Sequence, residues 1–380
     1  GPSVANPRTG EIIAADIVQE FNAIKRGCTY RKLWGYTEEN DPLEQWIVSL
    51  TMHEVGHTLG LRHNFKSSWV YDAKEVHDVS ITGDNHIGSV MDYDPINLAP
   101  EGIPQGNFFP TGPGFYDIWA IEFGYTPSFT DEERENLLSK STQPEYIFGT
   151  DGDAMSSPGV NIDPRNYRGD MSNDPITYTS DRIKTLNAKI AELPEIFLTD
   201  GETSTEFRSN FYRLTTEKGR FLDGVSRLIG GVYSNRIVND PDIDMTPFEA
   251  VPYEDQKRAI SLIKEQLLSN DAFSFDEKLL KYLKTSNESA DKSGFSYGSQ
   301  LMTDISGFGL ASHLGDICQS SNLSAQINLK NEILINKKLE ILKNYESSGY
   351  KNNHLSSFDS IDIKENHPLI KIIFDPQTNG

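Results

Sequence analysis

Cysteine is nearly absent from this 380-residue chain, which contains only Cys28 and Cys318. Two thiols so far apart in sequence cannot build the multiple-disulfide framework of a small secreted domain, and they cannot supply the ligands of a thiolate metal cluster. We interpret them as two unpaired thiols.

Long apolar runs and an excess of positive charge are also missing. No apolar segment approaches the ~20 residues that a helix needs to cross a bilayer, which predicts no membrane span. The 35 basic and 56 acidic residues give a net charge of −21, and such a surface repels nucleic acid unless a local basic patch reverses the field. No such patch is present, so the composition predicts a soluble globular protein that does not bind nucleic acid.

The length predicts about two or three domains. The first residues, Gly-Pro-Ser, include neither a methionine nor a charged and then apolar leader. This beginning predicts an internal fragment from which targeting information is missing.

One helix is strongly indicated around residue 50. Asp41 is suited to cap its start and Pro42 to occupy its first turn, where a missing N–H costs nothing. Gly60 is suited to end it in a left-handed conformation. Apolar residues between these two signals predict a buried stripe, at Trp46, Ile47, Leu50, Val55 and Leu59.

Within that helix, the stretch "HEVGHTLGLRH" concentrates three of the eight histidines of the chain. His53 and His57 lie four residues apart and therefore share a helix face, with Glu54 beside them. A turn at Gly60 allows His63 to return as a third nitrogen ligand, which leaves a fourth position open for water, as catalytic zinc requires. The competing interpretation is a surface helix with solvated histidines, and the added glycine and third histidine favour the zinc site.

A second signal, "SVMDY" at residues 89–93, is a tight methionine-containing turn. Together, the two stretches resemble the metzincin clan of zinc endopeptidases, whose signature is H-E-x-x-H-x-x-G-x-x-H followed by a Met-turn. The resemblance implies a peptide or protein substrate and a bound Zn²⁺. It makes His53, His57 and His63 the zinc ligands, Glu54 the general base and Met91 the apolar floor beneath the imidazoles.

The resemblance also gives Tyr93 a role, since a tyrosine two residues after the Met-turn methionine supports the oxyanion in the astacin-like and serralysin-like branches. The alternative is a tyrosine of the core. Residues 113–125 look like the helix that follows the Met-turn. Residues 11–18 predict a strand, either the edge strand that pairs with extended substrate or an ordinary structural strand.

Large bacterial metzincin-like proteins are similar to this chain over about residues 5–280. The predicted fold is α+β and multidomain, with a metzincin-like zinc catalytic region over 1–127 whose N-terminal sheet is incomplete. A loop-rich and then helical extension follows over 128–285. Its helices are predicted over 181–193, 203–233 and 253–268, with a linker over 239–247.

Two further sets of polar residues follow His63 in the sequence. Five aspartates in the loop over 148–175 either bind Ca²⁺ or are solvated carboxylates, and their departure from the EF-hand spacing favours solvation; they are Asp151, Asp153, Asp163, Asp170 and Asp174. His77 and His86 are predicted to be surface loop histidines.

Past a polar linker over 286–296, the character of the sequence changes. The stretches "TDISGFGL" and "DPQTNG" in residues 297–380 resemble part of the C-terminal domain of selenophosphate synthetase, which implies a small α/β fragment. Asp304 matches an aspartate that helps to hold Mg²⁺ in that family. Since the nucleotide-binding half of that family has no counterpart here, phosphoryl transfer is not expected.

Three functional hypotheses remain open. The first is a zinc metalloendopeptidase, exported to the cell envelope or secreted as such metzincins usually are. The second is a zinc-binding module without turnover, because the residues before His53 are fewer than the upper half of a metzincin normally contains. The third is a remnant of an ATP-dependent selenophosphate synthetase.

Overall fold

The computed structural model describes most of the chain before residue 284. The described residues are 3–17, 31–37, 41–154, 163–198, 204–237, 246–268, 272, 275 and 277–283. The predictions for Cys28, Cys318, Asp304, the linker over 286–296 and the fragment over 297–380 concern residues outside this set, and they stay predictions.

The chain divides into two compact units. The first contains Gly1–Thr203 and Gly231–Val251, and the second contains Ser204–Gly230 and Pro252–Gly380. The described residues combine helices with two small antiparallel sheets, in agreement with the predicted α+β class. No helix in these residues is both long and apolar enough to cross a bilayer.

Two hairpin-like sheets belong to the first unit. Strand β1 (Ser3–Ala5) pairs antiparallel with β2 (Ile12–Ala15), so that Ser3 faces Ala15 and Val4 faces Ala14. Strands β3 (Val232–Ser234) and β4 (Phe248–Ala250) form the second antiparallel pair. A strand within 11–18 is therefore confirmed, and its pairing with substrate stays a prediction.

Helix α1 (Pro42–Thr58) is the helix predicted around residue 50. Its predicted buried apolar stripe is wrong, because Val55 and Leu59 are exposed and the buried positions include His53 and Gly56 on the face that carries the histidines. The Asp41 carboxylate accepts a hydrogen bond from the Leu43 N–H at 3.0 Å, and Pro42 occupies the first turn. Gly60 has φ +89°, the left-handed conformation that side chains disfavour. The Leu61 N–H then donates to the Gly56 carbonyl at 3.0 Å, which closes the helix end and redirects the chain.

Four further helices follow α1 in the described residues of the first unit. A short helix, α2 (Val79–Thr82), is followed by α3 (Phe115–Tyr125), which confirms the helix predicted over 113–125. Helix α4 (Asp131–Leu138) begins at a capping box between Thr130 and Glu133. Helix α5 (Pro175–Phe197) is longer than the predicted 181–193, because Asp174 caps it and Pro175 starts it.

Helices form most of the described part of the second unit. Periodicity in the sequence predicts an apolar stripe at Phe207, Phe211, Leu214, Leu222, Val225, Ile229 and Val232. Helix α6 (Thr205–Ser226) contains and buries the first five of these side chains. Helix α7 (Tyr253–Ile263) continues as a π-helical turn through Lys264–Leu268, so the bounds of the helix predicted over 253–268 are confirmed. Helix α8 (Glu277–Leu283) follows.

The helix predicted over 203–233 is too long. Helix α6 ends at Ser226, Gly230 has φ +69°, and Val232 lies in strand β3 instead of on the apolar stripe of the helix. The two adjacent glycines, 230 and 231, interrupt the helix because glycine loses the most backbone entropy in a helix.

Candidate metal centre

Three histidine side chains converge at the end of helix α1. His53 and His57 project from its last two turns, and the reversal at Gly60 returns His63 to the same place. The ring centroids are 4.7 Å apart for His53 and His57, 4.8 Å for His57 and His63, and 5.3 Å for His53 and His63. One nitrogen of each ring lies within 4.8 Å of the others, and no other such group of metal-binding side chains occurs among the described residues.

Each imidazole is held through its Nδ1 atom by an acceptor outside the cluster. His53 Nδ1 is 2.7 Å from the Val90 carbonyl oxygen, His57 Nδ1 is 3.0 Å from the Leu61 carbonyl oxygen, and His63 Nδ1 is 2.9 Å from an Asp151 carboxylate oxygen. Because carbonyl and carboxylate oxygens only accept, they assign the proton to Nδ1 and leave Nε2 unprotonated, the form in which it can bind a metal.

This donor set fits zinc. Catalytic zinc sites take three protein ligands, often histidines, whose other ring nitrogen is hydrogen-bonded as seen here. Burial lowers the pKa of His53 below its usual range, which favours the neutral form that a metal ligand requires.

Met91 lies beneath the helix turn that carries the histidines. Its side chain is fully buried, and a Cβ atom added to Gly56 would lie 2.4 Å from the Met91 sulfur. Sequence reasoning assigned no role to Gly56. It is the position between His53 and His57 where the absence of a side chain allows the sulfur to approach the helix backbone.

Asp117 fixes the Met-turn and was also missed. Its buried carboxylate accepts hydrogen bonds from the Ser89 hydroxyl at 2.5 Å and from the N–H groups of Val90 and Gly114, both at 2.8 Å. Burial raises the pKa of Asp117. The prediction for residues 113–125 was a helix, and helical spacing cannot reveal an acceptor for a turn more than twenty residues earlier.

Tyr93 reaches the histidine cluster and is not a core residue. Its side chain is 45% exposed and its hydroxyl lies 2.8 Å from His63 Nε2. Partial burial raises the pKa of Tyr93, and the charges of Asp151 and Glu54 raise it further. The phenol therefore keeps its proton at neutral pH.

The aspartates of the 148–175 loop make separate contacts with the protein. Asp151 contacts His63, Asp153 pairs with Arg236 at 2.6 Å, and Asp174 caps helix α5. Asp163 pairs with Lys66 and Arg165, both at 2.8 Å, and Asp170 accepts from the Trp69 indole at 2.8 Å. These separate roles do not support Ca²⁺ binding.

The prediction of solvated carboxylates is wrong for Asp163 and Asp170, because both side chains are buried. Burial raises the pKa of Asp170 to about 7. A loop rich in aspartate, glycine and proline looks exposed in sequence, and only the fold reveals which of its carboxylates have partners inside the protein.

The surface prediction for His77 and His86 is also wrong. Both rings are buried: His77 stacks on Tyr178 with centroids 6.0 Å apart, and His86 Nε2 lies 3.3 Å from an Asp94 oxygen. Burial lowers the pKa of His77 to about 4. The two histidines are therefore buried, although helix α2 between them is largely exposed.

A helix bearing H-E-x-x-H, a third histidine beyond a left-handed glycine, and a buried methionine whose sulfur approaches the helix at Gly56 define a metzincin-type metal centre. The sequence model of a family described as Met-zincin matches residues 37–355. The chain therefore belongs to the Met-zincin family. The matched range includes all three histidines, and it continues past residue 297, where the second resemblance was predicted to begin.

Short matches link the chain to a different enzyme. It is 34% identical over 84 residues to "Selenide, water dikinase" of Shewanella sp. strain ANA-3, covering 22% of this chain and 24% of that protein. The proteins of the same name from strains MR-4 and MR-7 are 33% identical over the same length and shares. The chain spans about a quarter of the length of these curated relatives. No solved structure matches the chain.

Proposed function

We propose that this protein is a zinc-dependent metalloendopeptidase that hydrolyses peptide bonds in peptide or protein substrates. The observation that carries the proposal is the convergence of three imidazoles, each held through Nδ1, with one nitrogen of each ring within 4.8 Å of the others. Membership of the Met-zincin family points to the same class of enzyme.

A zinc ion held by His53, His57 and His63 would supply a Lewis acid and lower the pKa of water towards ~7. Glu54, on the helix turn between the first two histidines, accepts the proton of the attacking water and delivers it to the departing amine. The Tyr93 hydroxyl donates a hydrogen bond to the carbonyl oxygen of the substrate as negative charge develops there. The exposed position of Tyr93 makes it accessible to a substrate.

Replacing the general base tests this proposal. In Glu54→Ala, we expect near-stoichiometric zinc but a loss of cleavage of about 10²–10⁴-fold, the usual contribution of a positioned acid–base group. Metal content is measured by elemental analysis, and activity by cleavage of an unstructured protein with the wild type as the reference.

The other hypotheses predict different results in the same experiment. Zinc in both proteins with cleavage by neither would select a zinc-binding module without turnover. Phosphate release that requires ATP would instead support the selenophosphate synthetase remnant, for which the short match to the Shewanella proteins is the motivation.

Two finer expectations remain part of the proposal. Strand β2 is proposed to pair with extended substrate, as the resemblance implies for residues 11–18. An exported or cell-envelope location is proposed on the same resemblance.

A further inference from the structure

The third histidine has a hydrogen-bond partner that differs in kind from those of the other two. His53 and His57 bond to backbone carbonyls, whereas His63 Nδ1 faces both carboxylate oxygens of Asp151, at 2.9 and 3.1 Å. Asp151 comes 88 residues after His63 and belongs to no part of the zinc-binding signature. It is the one charged side chain that holds a ligand through Nδ1.

The loop that carries Asp151 is fastened to the residues directly after His63. The Phe65 N–H donates to the Gly149 carbonyl at 2.7 Å, and the Gly149 N–H donates to the Asn64 side-chain oxygen at 3.1 Å. The Asn64 amide also donates to the Ile147 carbonyl at 3.0 Å. Three bonds between two short segments fix the position of Asp151 relative to His63.

Side chains on the other faces of His63 restrict it further. The Phe65 ring stacks on the imidazole with centroids 5.2 Å apart and an interplanar angle of 26°. The Arg168 guanidinium lies 5.0 Å from the centre of the Phe65 ring and 3.7 Å from Asp151 Oδ1. Asp151 and Arg168 are each about half exposed, so their ion pair contributes little energy. The contribution of Asp151 is therefore orientation of the ring.

We propose that Asp151 is a positioning residue of the metal centre, which fixes the Nδ1–H tautomer and the ring plane of His63 so that Nε2 faces the metal. A carboxylate in this position also increases the basicity of the ligand. The inference rests on the proposed zinc site, and it places one determinant of metal affinity in the loop at 147–151, outside the zinc-binding signature and the Met-turn.

Metal affinity measures this role directly. Zinc and cobalt dissociation constants are determined by competition with a chromophoric chelator for the wild type, Asp151→Ala and Asp151→Asn. We expect Asp151→Ala to weaken binding by about 10–100-fold, the usual effect of removing such a partner. Asp151→Asn keeps an oxygen acceptor without the charge, so a smaller loss, of at least about threefold, is expected.

The matched control is Asp131→Asn, which removes the same charge from a 99% exposed side chain at the start of helix α4. It should bind metal like the wild type. The visible spectrum of the cobalt form should change in Asp151→Ala and not in Asp131→Asn, while the unfolding temperatures of the metal-free proteins stay within a few degrees. A general loss of structure would not produce this pattern.

The inference is overturned if Asp151→Ala binds cobalt within about twofold of the wild type, or if the wild type binds no metal. If Asp151→Ala does not fold, an unchanged affinity in Asp151→Asn overturns it instead. Failure of the peptidase proposal is distinguishable, because a wild type that binds cobalt tightly and cleaves nothing leaves the role of Asp151 standing.

Discussion

At the scale of single residues, the substitution Tyr93→Phe distinguishes the contribution of the Tyr93 hydroxyl from that of the Tyr93 ring. Tyr93→Phe keeps the ring contact with His53, whose centroid lies 5.4 Å away, and removes the hydrogen bond to His63. Removing one donor to a developing oxyanion costs ~10²–10³ in kcat when the donor is buried. Because Tyr93 is half exposed, we expect a loss of about 10–100-fold in kcat with little change in KM or zinc content.

Steady-state kinetics on a fluorogenic peptide, together with zinc analysis, check this result. An unchanged kcat in Tyr93→Phe would remove the tyrosine from the chemistry. A loss of zinc would show instead that the hydroxyl matters for the metal ligands.

Some residues of the candidate metal centre could be predicted from the sequence, and others could not. The spacing of His53, His57 and His63 is fixed by a helix turn and one glycine, so local geometry was enough to predict their convergence. Asp151 and Asp117 act on residues 88 and 28 positions away, and a spacing pattern contains no information about such contacts. Gly56 required knowledge of where the Met91 sulfur packs.

At the scale of secondary-structure elements, helix α3 has one glycine at its N-cap and another in its last turn, and the surroundings of the two differ. A Cβ atom at Gly114 would lie 2.1 Å from the Gly88 carbonyl oxygen, whereas one at Gly124 would meet no atom within 4 Å. We expect Gly114→Ala to lower the free energy of unfolding by about 1–3 kcal/mol, the usual cost of overpacking. Gly124→Ala should raise it by about 0.5–1 kcal/mol through helix propensity.

Urea unfolding followed by tryptophan fluorescence measures both variants, since Trp119 lies on the same helix. The close approach of Gly114 to the Met-turn is contradicted if the two substitutions have effects of the same sign. Zinc affinity should fall only in Gly114→Ala, because Gly88 immediately precedes the Met-turn.

Helix boundaries could be predicted where residues typical of helix starts and helix ends were both used. Helix α1 was predicted well because Asp41, Pro42 and Gly60 mark both of its ends. Helix α5 was predicted too short because Asp174 and Pro175, an equally good start signal, were read as part of the loop. The helix predicted over 203–233 ran into strand β3 because the apolar periodicity of α6 was followed past Gly230 and Gly231.

At the scale of the whole molecule, the two units are interleaved along the chain. Strands β3 and β4 belong to the first unit, although helix α6 of the second unit precedes them. The strand pair joins the first unit through Ser234, whose carbonyl accepts from Lys66 at 2.7 Å and whose N–H donates to Asp163 at 2.9 Å. Such a return of the chain depends on contacts between distant segments, which no composition boundary in the sequence marks.

This arrangement makes tryptophan fluorescence a selective probe of the first unit. All four tryptophans, Trp34, Trp46, Trp69 and Trp119, belong to it, as do the three histidines. A ligand at a thousand times its Kd adds about 4 kcal/mol to the stability of the state that binds it. For a unit of this size, about 2–4 °C per kcal/mol gives an expected rise of about 10 °C in the fluorescence-detected Tm on adding zinc to chelator-treated protein. His63→Ala should lose most of this rise, and a wild-type transition that zinc does not move would show that the histidine cluster binds no metal in the folded protein.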